Sequence, residues 1–217
     1  TTTRYNLNDP YNLSTYYTDE EIQAMDEKAK SEAWYKMWRN FCVSDTFEPG
    51  STIKPFTVAT GLEIGALKGD EIYYCGGSLQ IDEWEIKCIS YDNGGHGQQN
   101  LTQVMENSCN VALMQIGLAI GPEEFCKYQS IFGFGQYTGI DLPGEAVGIL
   151  QSPDGMIKTD LATNSFGQNF NVTMLQLATG FCSLINGGDY YEPHLVKAIQ
   201  DENGNVINGD MIIYIYG

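Results

Sequence analysis

Ser51-Thr-Ile-Lys54 sets a hydroxyl and an ammonium three residues apart. On a helix they share a face, close enough for the amine to take the hydroxyl proton. A serine hydroxyl is a weak nucleophile until a neighbouring base removes its proton, and a lysine can be that base if burial lowers its pKa toward neutrality. Pro49-Gly50 forces a turn directly before Ser51, so a helix is predicted to start there. Pro55 is tolerated so near the start, where helix amides have no internal carbonyl partner. Free amides and the helix dipole at that end would favour the oxyanion formed when an acyl carbonyl is attacked. The pattern alone is weak: S-x-x-K arises by chance about once in a chain of this length. An exposed Ser-Lys pair on a surface helix is the alternative.

A second polar group, Ser108-Cys-Asn110, falls at a break between two apolar helical segments. Beside Ser51 and Lys54, the Ser108 hydroxyl could relay a proton to a leaving group, and the Asn110 amide could orient Lys54 and a substrate amide. Ser and Asn also favour helix caps, and on this motif alone the two readings stand level. His96, between glycines, reads as a structural turn residue, because Lys54 already covers general-base duty. The six cysteines, Cys42, Cys75, Cys88, Cys109, Cys126 and Cys182, lack CxxC spacing and have only two histidines for company, which argues against a zinc site. Isolated thiols read as core residues, Cys109 among them. Cys75 and Cys88 could meet at the strand ends of a hairpin, and whether they bond is left open.

The elements that must position these groups follow from periodicity. Thr18-Asp-Glu-Glu21 is a capping box, and Ile22, Met25, Ala29, Ala33, Trp34, Met37, Trp38 and Phe41 recur at helical spacing, which predicts one long amphipathic helix. Two short strands are predicted between Tyr73 and Ser90, then a tight turn at Gly94-Gly95-His96-Gly97. Leu101, Val104 and Met105 mark a helix running up to Ser108, and Val111 to Ile120 reads as a buried helix. Residues 132 to 160, rich in glycine and proline, read as loop. Thr173-Met-Leu-Gln176 is a second capping box, opening a helix closed by Gly187-Gly188. Pro193 to Ile199 and the Asn203-Gly204 turn suggest a β-hairpin, and Met211 to Tyr216 a last strand.

Composition narrows the function classes. With 42% apolar residues in 217, the chain can fill the core of one large domain. Its formal charge of −17 repels phosphate backbones and anionic lipid head groups, so no nucleic-acid partner is expected. No apolar run is long enough to span a membrane, and no cationic-then-apolar leader opens the sequence; any anchor is expected upstream of it.

Read with their flanks, the motifs become specific. Glu48-Pro-Gly-Ser-Thr-Ile-Lys-Pro55, Gly95-His-Gly97, Asn107-Ser-Cys-Asn110, Asp141-Leu-Pro-Gly-Glu145, Asn164-Ser-Phe-Gly-Gln168 and Asn186-Gly-Gly188 with Pro193-His-Leu-Val196 resemble, in that order, segments of class B penicillin-binding proteins. The resemblance covers nearly the whole chain. It implies a mixed α+β transpeptidase fold with helices packed around an antiparallel sheet. It also implies Ser51 as the acylated nucleophile, Lys54 as its base, Ser108 and Asn110 as the second motif, and no cofactor or metal. The implied partners are peptidoglycan stem peptides, β-lactam antibiotics that mimic them, and proteins of a cell-wall synthesis complex. The implied place is the extracytoplasmic face of a bacterial membrane, reached through an amino-terminal anchor. The family's third motif, K-T-G, is missing: the nearest approach is Lys158-Thr-Asp160. That strand is expected beyond Gly217, so residues 1–217 read as a partial transpeptidase domain whose sheet is cut short. A serine β-lactamase would need a water-activating group, and Glu145 sits among flanks that match transpeptidases instead. A β-lactam sensor domain and a catalytically silent complex partner are the other readings.

Overall fold

The structure, a computed structural model, describes residues 5–6 and 8–207. The first helix, α1 (Asp19–Ala24), carries the capping box foreseen at Thr18, whose hydroxyl accepts from the Glu21 amide. The predicted long helix does not form. The chain turns extended at Met25, and the Asp26 carboxylate accepts from the Ala29 amide at 2.7 Å, capping a separate α2 (Glu27–Trp38). Asn40 caps a further short α3 (Phe41–Ser44). The break lets α2 turn Ala33 and Met37 onto Leu13 while the Trp34 and Trp38 indoles donate to the Tyr11 and Pro10 carbonyls.

After β1 (Thr46–Phe47), a 3-10 turn over Gly50–Ile53 runs straight into α4 (Lys54–Glu63), so a helical segment does begin at Ser51, with Pro55 in its first turn. The next segment, expected to hold two strands, contains three: β2 (Ile72–Cys75), β3 (Ser78–Ile81) and β4 (Trp84–Lys87). β3 and β4 form a hairpin, but β2 pairs instead with β5 (Gly97–Asn100), setting Cys75 opposite Gly97. Cys75 and Cys88 therefore belong to different ribbons, and both thiols are free.

Asn100 caps α5 (Leu101–Glu106), and α6 (Asn110–Ile120) follows as the buried helix that its composition foretold. α7 (Pro122–Ile131) was not foreseen, although Pro122 and Glu123-Glu124 in its first turn are start signals. α8 (Lys158–Asn164) begins inside the stretch expected to be loop. β6 (Val172–Thr173) pairs antiparallel with β1, and Thr173 then caps α9 (Met174–Ile185) with its hydroxyl on the Gln176 amide. The expected hairpin after Pro193 is reduced to a single bridge, Gln200 with Val206, and the strand expected at Met211 to Tyr216 lies outside the described residues.

Helix and strand are mixed as expected, and the sheet component among the described residues is three two-stranded antiparallel ribbons. α6 runs through the main core, which gathers Val58, Leu67, Val104, Phe125, Leu161 and Phe166 around it. α8 crosses it closely: a Cβ on Gly117 would sit 2.6 Å from the Ser165 Cβ, so only glycine permits the contact. This packing holds the start of α6 beside the start of α4.

Candidate active site

Lys54, only 2% exposed, lies at the centre of a small polar network. Its ammonium donates to the Ser108 carbonyl at 2.6 Å, the Ser108 hydroxyl at 2.8 Å and the Asn110 side-chain carbonyl at 2.7 Å, which uses all three of its protons. The Ser108 hydroxyl in turn donates to the Ser51 hydroxyl at 3.0 Å. All four residues singled out in the sequence are thus together: Ser51 from the 3-10 turn, Lys54 from the start of α4, Ser108 from the turn after α5 and Asn110 from the start of α6. The connection differs from the expected one: the amine reaches Ser51 through Ser108 rather than directly. Ser108 holds a left-handed backbone, φ 49°, which is uncommon outside glycine. Burial pushes the Lys54 pKa from 10.5 down to about 8, while negative charge at Cys88 and Cys109 works in the opposite direction.

Behind Ser51 stands the Asn164 to Gln168 segment. The Gly50 amide donates to the Gly167 carbonyl at 2.8 Å, and a Cβ on Gly167 would overlap the Gly50 carbonyl and lie 2.6 Å from its nitrogen. The Thr57 hydroxyl donates to the Ser165 carbonyl at 2.9 Å, and the Glu48 carboxylate accepts from the Asn169 amide at 2.8 Å. Sequence reasoning had these residues only as part of a resemblance; their task of backing the 3-10 turn that carries Ser51 depends on a contact far along the chain.

Other expectations can be placed. The Glu145 carboxylate accepts from the Thr138 amide at 2.7 Å and braces its own loop. Asp141 accepts from the Leu195 and Val196 amides at 2.8 and 2.7 Å, joining two of the segments on which the resemblance rests. Lys158-Thr-Asp160 opens α8 and is not a strand, with Lys158 4.0 Å from Asp82 on the surface. A cavity of about 840 Å³ lies elsewhere, between α2 and Leu142 to Gly144, and none of the four network residues lines it. Close under the network, Cys75, Cys88, His96 and Cys109 converge, although their spacing in sequence spoke against a metal.

The chain matches the family model of the penicillin binding protein transpeptidase domain over residues 17–212. It is 40% identical over 161 residues to Stage V sporulation protein D of Bacillus subtilis, covering 73% of this chain and 24% of that protein. To the peptidoglycan D,D-transpeptidase FtsI of Escherichia coli it is 33% identical over 159 residues, 73% of this chain and 26% of the other. Among solved structures, penicillin-binding protein 3 of Mycobacterium tuberculosis, complexed with aztreonam, superposes with a TM-score of 0.71 at 28% identity, covering 80% of this chain and 38% of that one. The chain spans about a quarter of the length of these curated relatives. With the family model matched from ahead of α1 to past α9, the chain belongs to the penicillin-binding protein transpeptidase domain family.

Proposed function

We propose that this chain carries the nucleophile of a peptidoglycan D,D-transpeptidase that works through an acyl-enzyme on Ser51 and is acylated by β-lactams at the same atom. The observation that carries the reading is the continuous hydrogen-bonded path from Ser51 through Ser108 to a buried lysine. In its neutral form Lys54 keeps two protons for the Ser108 carbonyl and Asn110 and turns its lone pair to the Ser108 hydroxyl. As Ser51 attacks the carbonyl between two terminal D-alanines, its proton passes to Ser108 and the Ser108 proton to Lys54. Collapse of the tetrahedral intermediate breaks the C–N bond, and the departing amine recovers a proton from Lys54 by the same path. The amine of a second stem peptide then attacks the ester and gives its proton to Lys54 through Ser108, and collapse returns that proton to the Ser51 oxygen, which forms the cross-link and frees the serine. The relatives' printed names, peptidoglycan D,D-transpeptidase among them, and the aztreonam complex of one neighbour support the substrate and inhibitor classes.

A β-lactamase fits less well, because Glu145, the carboxylate most suggestive of one, is committed to Thr138. The polymeric substrate places the parent protein outside the cytoplasm on a membrane anchor; among the described residues no helix is long and apolar enough to be that anchor. The test is fluorescent penicillin labelling of the full-length protein. Wild type should label covalently, Ser51→Ala should not, and Lys54→Ala should lose nearly as much, since nucleophile and base act as a unit. Labelling that survives Ser51→Ala unchanged would sink the assignment.

A further inference from the structure

Four side chains from four separate pieces of the fold meet just below the network. Cys75 ends β2, Cys88 follows β4, His96 sits in the turn before β5, and Cys109 lies between α5 and α6. Their ligand atoms all fall within 4.8 Å of one another; the Cys88 sulfur is 4.0 Å from that of Cys109 and 3.7 Å from His96 Nδ1. A tetrahedral zinc ion, with bonds of about 2.3 Å to sulfur and 2.0–2.1 Å to nitrogen, separates its ligands by roughly 3.5–3.8 Å. These two pairs are therefore within a few tenths of an ångström of the required geometry before any ion enters.

Buried thiols often serve only as small apolar residues. Three features here go beyond that. First, the sulfurs are met by backbone donors: the amides of Ser90, Val111 and Asn110 lie against Cys88, and that of Ala112 against Cys109. Such amides compensate the charge of metal-bound thiolates. Second, the turn bearing His96 is pressed on the Cys75 to Gly77 backbone, where a Cβ on Gly95 would lie 2.5 Å from the Gly77 nitrogen and 2.6 Å from the Gly76 carbonyl carbon. Third, all three thiols are free, and a disulfide between any two would leave the third and the imidazole without a use.

We propose that Cys75, Cys88, His96 and Cys109 form a structural zinc site that fastens the Ser108-Cys109-Asn110 turn to the ribbons beneath it. Three thiolates and one imidazole are the donor set of a closed tetrahedral site, with no position left for a reacting water. The cluster is compact enough for one ion and not for a polynuclear centre. Cys109 stands between the two residues that hold Lys54, so the ion would anchor the left-handed Ser108 backbone from which the network hangs.

The test uses the full-length protein, purified with reductant and passed into metal-free buffer. One zinc per chain is expected by elemental mass spectrometry, and exchange with Co²⁺ should give the intense visible bands of a tetrahedral thiolate ion. The double variant Cys75→Ser, His96→Ala should lower metal affinity by at least about tenfold and lose those bands. Should the variant fail to fold, the stoichiometry and cobalt spectrum of the wild type decide alone. Reduced wild-type protein that takes up neither Zn²⁺ nor Co²⁺ would overturn the site. So would wild-type affinity in the double variant, or a disulfide among the three cysteines in protein isolated without oxidant.

Discussion

Lys54 rests as an ammonium with a carbonyl, a hydroxyl and an amide oxygen on its three protons, and as the proposed base it must lose one before it can accept another. Its pKa, lowered to about 8 by burial, sets the cost of that step. Below that value the neutral fraction grows tenfold with each pH unit, and above it the fraction levels off. Acylation of the full-length protein by penicillin should therefore rise with pH to a plateau entered near 8, as measured by second-order rates across the neutral and mildly alkaline range. Ser108→Ala would interrupt the proposed proton path and should slow acylation by about 10²- to 10⁴-fold while leaving the melting transition in place. An unchanged rate would mean that Ser108 is not in the path. Ser51 and Lys54 were legible in the sequence because one helical turn sets their relation. That Ser108 stands between them was not, because it depends on a left-handed backbone at a non-glycine residue, which no local pattern announces.

At the scale of elements, two helix starts were readable from their capping boxes, while the side-chain caps at Asp26 and Asn40 went unread. Thr18 and Thr173 mark those two starts correctly, whereas the break at Met25 was hidden by an apolar periodicity that continues across it. The three ribbons were harder still, since β2 passes over its neighbours in sequence to pair with β5, and this partner choice is what separates Cys75 from Cys88 along the sheet edges yet gathers both under Cys109. Gly167 shows the same dependence on distant contacts. Its φ of 92° and its closeness to the Gly50 backbone leave no room for a side chain. Gly167→Ala should cost about 1–3 kcal/mol of stability and displace the turn that carries Ser51. Thermal melting and penicillin acylation should fall together; a variant with native acylation would show that the contact does not position the nucleophile. If the zinc site is as proposed, stripping the ion with a chelator should likewise slow acylation, by at least about tenfold, and restoring it should recover the rate.

For the molecule as a whole, the family resemblance expects two oxyanion amides, one at Ser51 and one on a K-T-G strand, and no such triplet occurs in these 217 residues. Residues 1–217 should acylate about 100- to 1,000-fold more slowly than a transpeptidase domain of this family that carries both donors, the usual effect of one missing oxyanion donor. Equal rates would mean that the second donor is already present. The way Ser51 is backed also has a consequence in time. Glu48 and its partner Asn169 are 121 residues apart, and β1 pairs with β6 across a similar span. A ribosome adds roughly 5–20 residues per second, so Ser51 leaves the tunnel about 6–24 s before the residues that support it. During that interval the turn that carries Ser51 has no backing, and on the proposed function it should stay unreactive until the segment around Asn169 has been synthesised.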